Sequence, residues 1–362
     1  MTQRLHTKDD PYPVWLGRGL MAEAGPLLQR LWKHRRVAVV THRKLVRLHG
    51  DVLRASLEYA GIEANYFYIG EGERTKTLDT VNHLYTKLSR MGLSREDGLI
   101  AFGGGVVGDT AGFVAATYLR GIGLIQMPTT LLAQIDSSIG AKVGVNLPQG
   151  KNLVGAIYRP DAVLIDPALL TTLPHREIQS GLFELLKYGF IGSPQLFRQI
   201  EKLTTQFSPE SKDFDRAIAA AVRMKLTVVR NDERETGERR ILNFGHTIGH
   251  GLEAAGEYRF LSHGQAVGWG MIAAVKLAHQ RKILSRQISD RMVSNVRNLA
   301  PLPSLRRLSP RRVMGAIDND KKIGRRGFRF VIPTAIGQVK VVEGFPRDEI
   351  RWALGQLGVG KR

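Results

Sequence analysis

In the segment LNFGHTIGHGLE, Asn243, His246 and His250 stand three and four residues apart. On a helix that spacing sets all three side chains on one face. His263 follows in the turn Ser262-His263-Gly264, and Glu184 lies earlier, in FELLKYG. Two imidazoles and a carboxylate make a catalytic divalent-metal set, with a position left open for substrate. The same donors suit zinc, cobalt or iron. Two histidines one helical turn apart are also what a helix surface or a satisfied core can hold. Context argues for a site: three of the ten histidines fall between residues 246 and 263, in a glycine-rich apolar stretch. Spacing alone does not choose Glu184 as the third ligand.

A second group could bind phosphate. The apolar run Gly98–Phe102 leads into Gly103-Gly104-Gly105-Val106-Val107-Gly108-Asp109, which places Gly103, Gly105 and Gly108 at GxGxxG spacing. Such a loop lets backbone amides at a helix N-terminus approach a pyrophosphate. A tight turn without a ligand can use the same glycines. Gly70-Glu71-Gly72-Glu73-Arg74-Thr75-Lys76 and Pro128-Thr129-Thr130 also follow strand-like runs. All three segments then share the carboxyl edge of a parallel sheet, where ligands of open α/β sheets bind. Asp136, Lys142, Lys151 and Asn152 lie in AQIDSSIGAKVGVNLPQGKNLVG. Lys187 is one turn after Glu184, and Lys225 and Arg239 flank NDERETGERR. Lysines and arginines inside apolar or glycine-rich stretches suit a substrate bearing phosphate and carboxylate.

The elements that must position these groups change character along the chain. Strand-like runs at 37–41, 65–69, 98–102, 124–128 and 163–166 alternate with helical patterns at 45–60, 75–91, 106–118 and 130–139. This predicts crossover units around a mostly parallel sheet, covered on both faces. After Leu173-Pro174 the spacing predicts helices over 175–190, 213–229, 241–255, 265–281 and 285–298, with one late strand pair near 328–332 and 338–342. Two domains are expected: an α/β dinucleotide-binding domain over 1–172 and a helical metal- and substrate-binding domain over 173–362.

Composition narrows the function class. The chain has 362 residues, no cysteine and a formal charge of +20. Disulfides and thiolate metal sites are excluded. The N-terminus lacks a signal-peptide core, and no run approaches the ~20 apolar residues of a membrane span, so a cytoplasmic protein is expected. From Arg281 to Arg329 fourteen Lys/Arg face three acids. With little aromatic interleaving and no nucleic-acid-binding motif, that stretch reads as solvated basic surface, and neither a nucleic-acid nor a membrane partner is expected.

Six motifs in this order resemble the 3-dehydroquinate synthase family of sugar phosphate cyclases: GGGVVGDTAGFVAATYLRG, QMPTTLLAQIDSSIGAKVGVN, GKNLVGAIY, FELLKYG, DERETGERRILNFGHTIGHGLE and SHGQAVGWGM. The similarity runs from about Val37 to Val342. It implies an N-terminal Rossmann-like α/β domain, an all-α C-terminal domain, an active site between them, and a homodimer. It implies one zinc or cobalt ion on Glu184, His246 and His263. It implies NAD on Glu73, Lys76, Gly104, Gly105, Asp109, Thr129 and Thr130, with Lys142 and Lys151 also within the cofactor's reach. Arg120, Asp136, Lys142, Lys151, Asn152, Lys187, Lys225, Arg239, Asn243, His250 and Lys321 match the family's substrate contacts, with Lys322 as the alternative to Lys321.

The implied reaction converts 3-deoxy-D-arabino-heptulosonate 7-phosphate into 3-dehydroquinate and phosphate, in the shikimate pathway. It proceeds by transient oxidation, phosphate elimination, re-reduction and internal aldol closure, with NAD recycled. Alternatives are a cyclase that makes an inosose or valiolone, which needs no carboxylate grip, and a metal-dependent polyol dehydrogenase, which would accumulate NADH. Three positions depart from the family pattern. His42, followed by Arg43 and Lys44, stands where an acid or amide is usual near the ribose, which opens NADP as a possibility. Ala141 replaces a glycine beside Lys142. Gln265 replaces a glutamate two residues after His263.

Overall fold

Seven short runs of the first half line up as one sheet because most of them are apolar on both faces. In the computed structural model, which describes residues 2–6, 9–32, 36–205, 208–319, 323–324 and 327–361, these are β1 (Gln3–Arg4), β2 (Val14–Leu16), β3 (Arg36–Thr41), β4 (Glu63–Tyr68), β5 (Gly98–Gly103), β6 (Gly123–Pro128) and, after a separate hairpin, β9 (Ala162–Ile165). Their order is β1-β2-β9-β6-β5-β3-β4, and only the β1–β2 pair is antiparallel. Alternation along β3 shows why the run is continuously apolar. Ala38 and Val40 pack with Leu84, Leu88 and Val114 on one face, while Val37 and Val39 pack with Leu28, Leu53 and Leu57 on the other. Helices Leu78–Arg90 and Gly105–Thr117 cover the first face; Ala24–Leu31 and Asp51–Tyr59 cover the second. The intervening hairpin of β7 (Lys142–Leu147) and β8 (Gly150–Ile157) is absent from the sequence reading. Its runs are short and glycine-broken. Gly144 and Gly155 face each other so closely that a Cβ on either would strike the partner backbone.

The chain divides into two units, Met1–Pro174 with Pro209–Arg234, and His175–Ser208 with Glu235–Arg362. The boundary expected at 172/173 falls beside Pro174, but the chain crosses back. Helix Lys212–Asn231 belongs to the first unit, outside the sequence-based division. Polar ties hold it there. Arg18 grips Asp215 with two N–H groups, each at 2.8 Å, and Arg159 grips Glu233 at 2.6 and 2.9 Å.

The second unit is mainly helical, built on His175–Gly192, Pro194–Thr205, His246–Ala255, His263–Gln280, Arg286–Leu299, Pro310–Asn319 and Arg347–Leu357. It also carries an antiparallel sheet of β10 (Ile323–Gly324), β11 (Gly327–Ala335) and β12 (Gln338–Phe345), which contains the expected strand pair. The helix expected over 241–255 is two pieces. A tight turn over Glu238–Asn243 ends before Gly245, which has φ 81°, and a new helix starts at His246. Only glycine fits there: its left-handed backbone disfavours a side chain, and a Cβ would come within 2.8 Å of the Val267 carbonyl oxygen. Asn243 therefore does not share a helix face with His246 and His250. Among the described residues no helix is long and apolar enough to cross a membrane.

Candidate active site

In the second unit three segments distant in sequence bring donors together. Glu184 lies on helix His175–Gly192, His246 opens the helix after Gly245, and His263 opens the next one. Their ligand atoms all lie within 4.8 Å of one another. Glu184 Oε1 is 3.5 Å from His246 Nε2 and 3.6 Å from His263 Nε2. Bonds of ~2.0–2.1 Å in a tetrahedron put donors roughly 3.3 Å apart, so both Glu184–histidine separations are close to what a zinc-sized ion requires.

The tautomers also fit. His246 Nδ1 meets the Phe244 carbonyl oxygen at 3.1 Å. A carbonyl only accepts, so Nδ1 carries the proton and Nε2 keeps its lone pair for an ion. Burial pushes the His246 pKa well below its ordinary value, more strongly than Glu184 raises it, so the ring is neutral. Burial also opposes charge on His263, but the Glu253 and Glu184 carboxylates outweigh it and push that ring up to about 10. An ion must therefore displace a proton from His263. Lys187 pairs with Glu184 inside the core, where both side chains are essentially inaccessible. The His250 ring stands 5.3 Å from His246 and 6.3 Å from His263, beside the donor set but outside it. Asn243, just before the break, donates to Glu235. Arg239 is buried in the same turn.

In the first unit the chemistry gathers where β4, β5 and β6 end. The loop Gly103–Gly104 opens helix Gly105–Thr117, whose first amides face outward with the positive end of its dipole. Close packing explains part of the glycine spacing: a Cβ on Gly103 would strike Val107, and one on Gly108 would come within 2.9 Å of Gln126. Gly104 lies against Thr130 and Gly105 against Ser137. The Ser137 hydroxyl is buried and has no hydrogen-bond partner, a deficit that a pyrophosphate oxygen would fill. Thr129 donates its amide to the Gly103 carbonyl at 3.0 Å.

Lys76 is buried and binds both Asp109 and the Asn152 side-chain carbonyl. Asn146 ties this cluster together, donating to Glu73 Oε1 at 2.8 Å and accepting from the Asn152 amide at 2.9 Å. Burial raises the Asp109 pKa, while Lys76 and, more weakly, Lys225 oppose it. Lys225 donates to the Asp136 carbonyl and to its carboxylate, both at 2.6 Å. Lys142 and Lys151 sit at opposite ends of the β7–β8 hairpin.

Arg120 lies away from the glycine loop. It lies past the C-terminal end of the helix whose N-terminus carries the glycine loop, in a left-handed run with φ 50° at Leu119 and 66° at Arg120. Thirteen helical residues separate the two ends, close to 20 Å at ~1.5 Å each. Lys321 and Lys322 lie outside the described residues.

The three departures each have a local account. Ala141 has φ 59°, a conformation that glycine takes without strain. Gln265 keeps a capping box: its amide donates to Ser262 Oγ at 3.3 Å, and its side-chain oxygen accepts from the Ser262 amide at 3.0 Å. Its NH₂ also reaches the Pro301 carbonyl at 3.3 Å, a bond that glutamate cannot donate. His42 faces the Ile69 carbonyl at 3.1 Å, and the Arg43 guanidinium stacks 4.7 Å from the Tyr68 ring centre.

Sequence reasoning missed Ser137, Asn146 and Glu253. Glu253 had a usable signal, because with the helix starting at His246 it falls seven residues on, on the face of His246 and His250.

Comparison with known proteins gives a consistent result. Residues 66–180 match the family model described as 3-dehydroquinate synthase N-terminal, and residues 181–323 match 3-dehydroquinate synthase C-terminal. The chain is 42% identical to the 3-dehydroquinate synthase of Symbiobacterium thermophilum over 353 residues, covering 96% of this chain and 98% of that one. It is 40% identical to the 3-dehydroquinate synthase of Crocosphaera subtropica over 351 residues, covering 96% of each. Among solved structures, the 2-epi-5-epi-valiolone synthase of Streptomyces hygroscopicus, with NAD+ and Zn2+ bound, superposes with a TM-score of 0.88 at 29% identity, over 97% of this chain and 98% of that one.

Proposed function

The chain belongs to the 3-dehydroquinate synthase family, and we propose that it converts 3-deoxy-D-arabino-heptulosonate 7-phosphate into 3-dehydroquinate and phosphate. It does so with recycled NAD and one zinc or cobalt ion, as a homodimer in the cytoplasm, with neither nucleic acid nor membrane as partner. When bound, the NAD exchanges a hydride with the substrate and the ion acidifies the hydroxyl to be oxidised. Glu184, His246 and His263 hold the ion. Lys187 balances the Glu184 charge and offers a cation to the phosphate. His250 and Asn243 hold and relay protons at substrate oxygens beside the donor set. Asn152, Lys142 and Lys151 bind phosphate or carboxylate oxygens, Asp136 orients Lys225, and Lys225 with Arg239 grips the carboxylate. Gly104, Gly105, Asp109, Glu73, Lys76, Thr129 and Thr130 form the dinucleotide site. Holding one substrate through successive steps is chiefly a matter of orientation and fixed charge.

The observation that carries this reading is the convergence of Glu184, His246 and His263 from three separate segments. The test is phosphate release from the heptulosonate phosphate with catalytic NAD and a divalent metal. Release with no accumulated NADH is expected, and a chelator abolishes it. NADH rising with turnover would mean a polyol dehydrogenase. The valiolone-synthase likeness favours one second reading, a cyclase for a sugar phosphate without a carboxylate, and phosphate release from such a substrate alone would establish it.

A further inference from the structure

We infer that Glu253 is a positioning residue of the metal centre: its buried carboxylate orients His263 and supplies the negative charge that a dication needs there. The inference rests on the reading that Glu184, His246 and His263 hold a divalent ion.

Three observations carry it. First, the geometry is that of a carboxylate–histidine–metal relay. His263 Nδ1 donates to Glu253 Oε2 at 3.3 Å, while Nε2 of the same ring faces Glu184. Such a partner fixes the ring and makes the ligating nitrogen more basic. Second, the two imidazoles are unequal. His246 donates to a neutral carbonyl, and His263 donates to a carboxylate. Third, the buried charges around the donors favour it. Glu184 and Lys187 are both buried and pair with each other, so they cancel. The two imidazoles bind an ion as neutral rings. With the Glu184 charge already matched by Lys187, a dication at low dielectric gains from a further buried carboxylate beside its ligands, since uncompensated charge there is costly. Glu253 is only 4% exposed and supplies such a carboxylate.

The test uses full-length protein stripped with a chelator and reloaded with zinc, its affinity read by competition with a chromophoric chelator. E253Q keeps the shape and removes the charge, and zinc affinity is expected to fall about 10- to 100-fold. The unfolding midpoint of the metal-free variant, measured alongside, separates this loss from a general loss of structure. Affinity within twofold of wild type in a folded E253Q protein would overturn the inference. Should E253Q not fold, nitrogen-15 spectra of zinc-loaded wild type decide. His263 protonated at Nδ1 and metal-bound at Nε2 supports the inference, and metal on Nδ1 overturns it. Wild type that binds no zinc, or E184A that binds it as well as wild type, would sink the metal reading itself and this inference with it.

Discussion

The candidate metal corner of the second unit and the glycine-loop edge of the first, proposed for the dinucleotide, are built in opposite ways. The corner is made of side chains: one carboxylate and two imidazoles from three helices, backed by a buried lysine and a second carboxylate. The edge is made largely of backbone, with amides at strand ends and a helix N-terminus, and one buried Lys76–Asp109 pair that braces it. A corner of this kind couples to protons, because its ligands titrate. The backbone part of the edge does not, because peptide amides have no charge to lose. The corner should lose its chemistry when one atom set is removed, and the edge should lose stability first.

The largest effect expected is at the corner. E184A should lower kcat/KM about 10³-fold or more, ~4 kcal/mol in transition-state terms, and leave the protein without bound metal by elemental analysis. Near-wild-type turnover would end the comparison. At the edge, K76M strands the Asp109 carboxylate in a buried setting. It should cost about 3 kcal/mol of stability in chemical denaturation and weaken NAD binding, with zinc affinity unchanged. A variant as stable as wild type would show that the pair does not brace the loop.

Proton coupling sharpens the contrast. In metal-free protein His263 is pushed up to about 10 by Glu253 and Glu184 against its burial, so at neutral pH a binding ion must expel its proton. Apparent zinc affinity should rise about tenfold per pH unit from 7 to 9, flattening near the His263 pKa, while NAD affinity changes little. A flat zinc profile would contradict a charged His263. The smallest effect expected is from A141G. Relief of the left-handed strain outweighs the extra chain entropy, and the gain is about 0.5 kcal/mol by thermal unfolding. Destabilisation would show that the buried Ala141 methyl packs more usefully than its backbone is strained.

Much of this molecule was legible in one dimension. Val37–Thr41 and Gly98–Phe102 declared themselves as strands because a sheet covered on both faces demands unbroken apolar runs. The glycine loop declared itself because it joins such a strand to a helix. His246 and His250 were visible as a pair, and the ordered motifs that resemble the family implied Glu184 and His263 as the partners of His246.

Other features depended on folding. No periodicity shows that helix Lys212–Asn231 returns to the first unit. An amphipathic stripe says that a helix is buried, not against what, and the ties of Arg18 to Asp215 and Lys225 to Asp136 span long chain separations. Nor does a 3.6-residue pattern reveal that Gly245 interrupts it, which removes Asn243 from the histidine face while Glu253 stays on it. Residue types and local spacing were enough to specify which donors exist and which short elements carry them. Which donors meet was decided by packing, because side chains far apart in sequence become neighbours only when helices approach as closely as Gly245 and Gly270 allow.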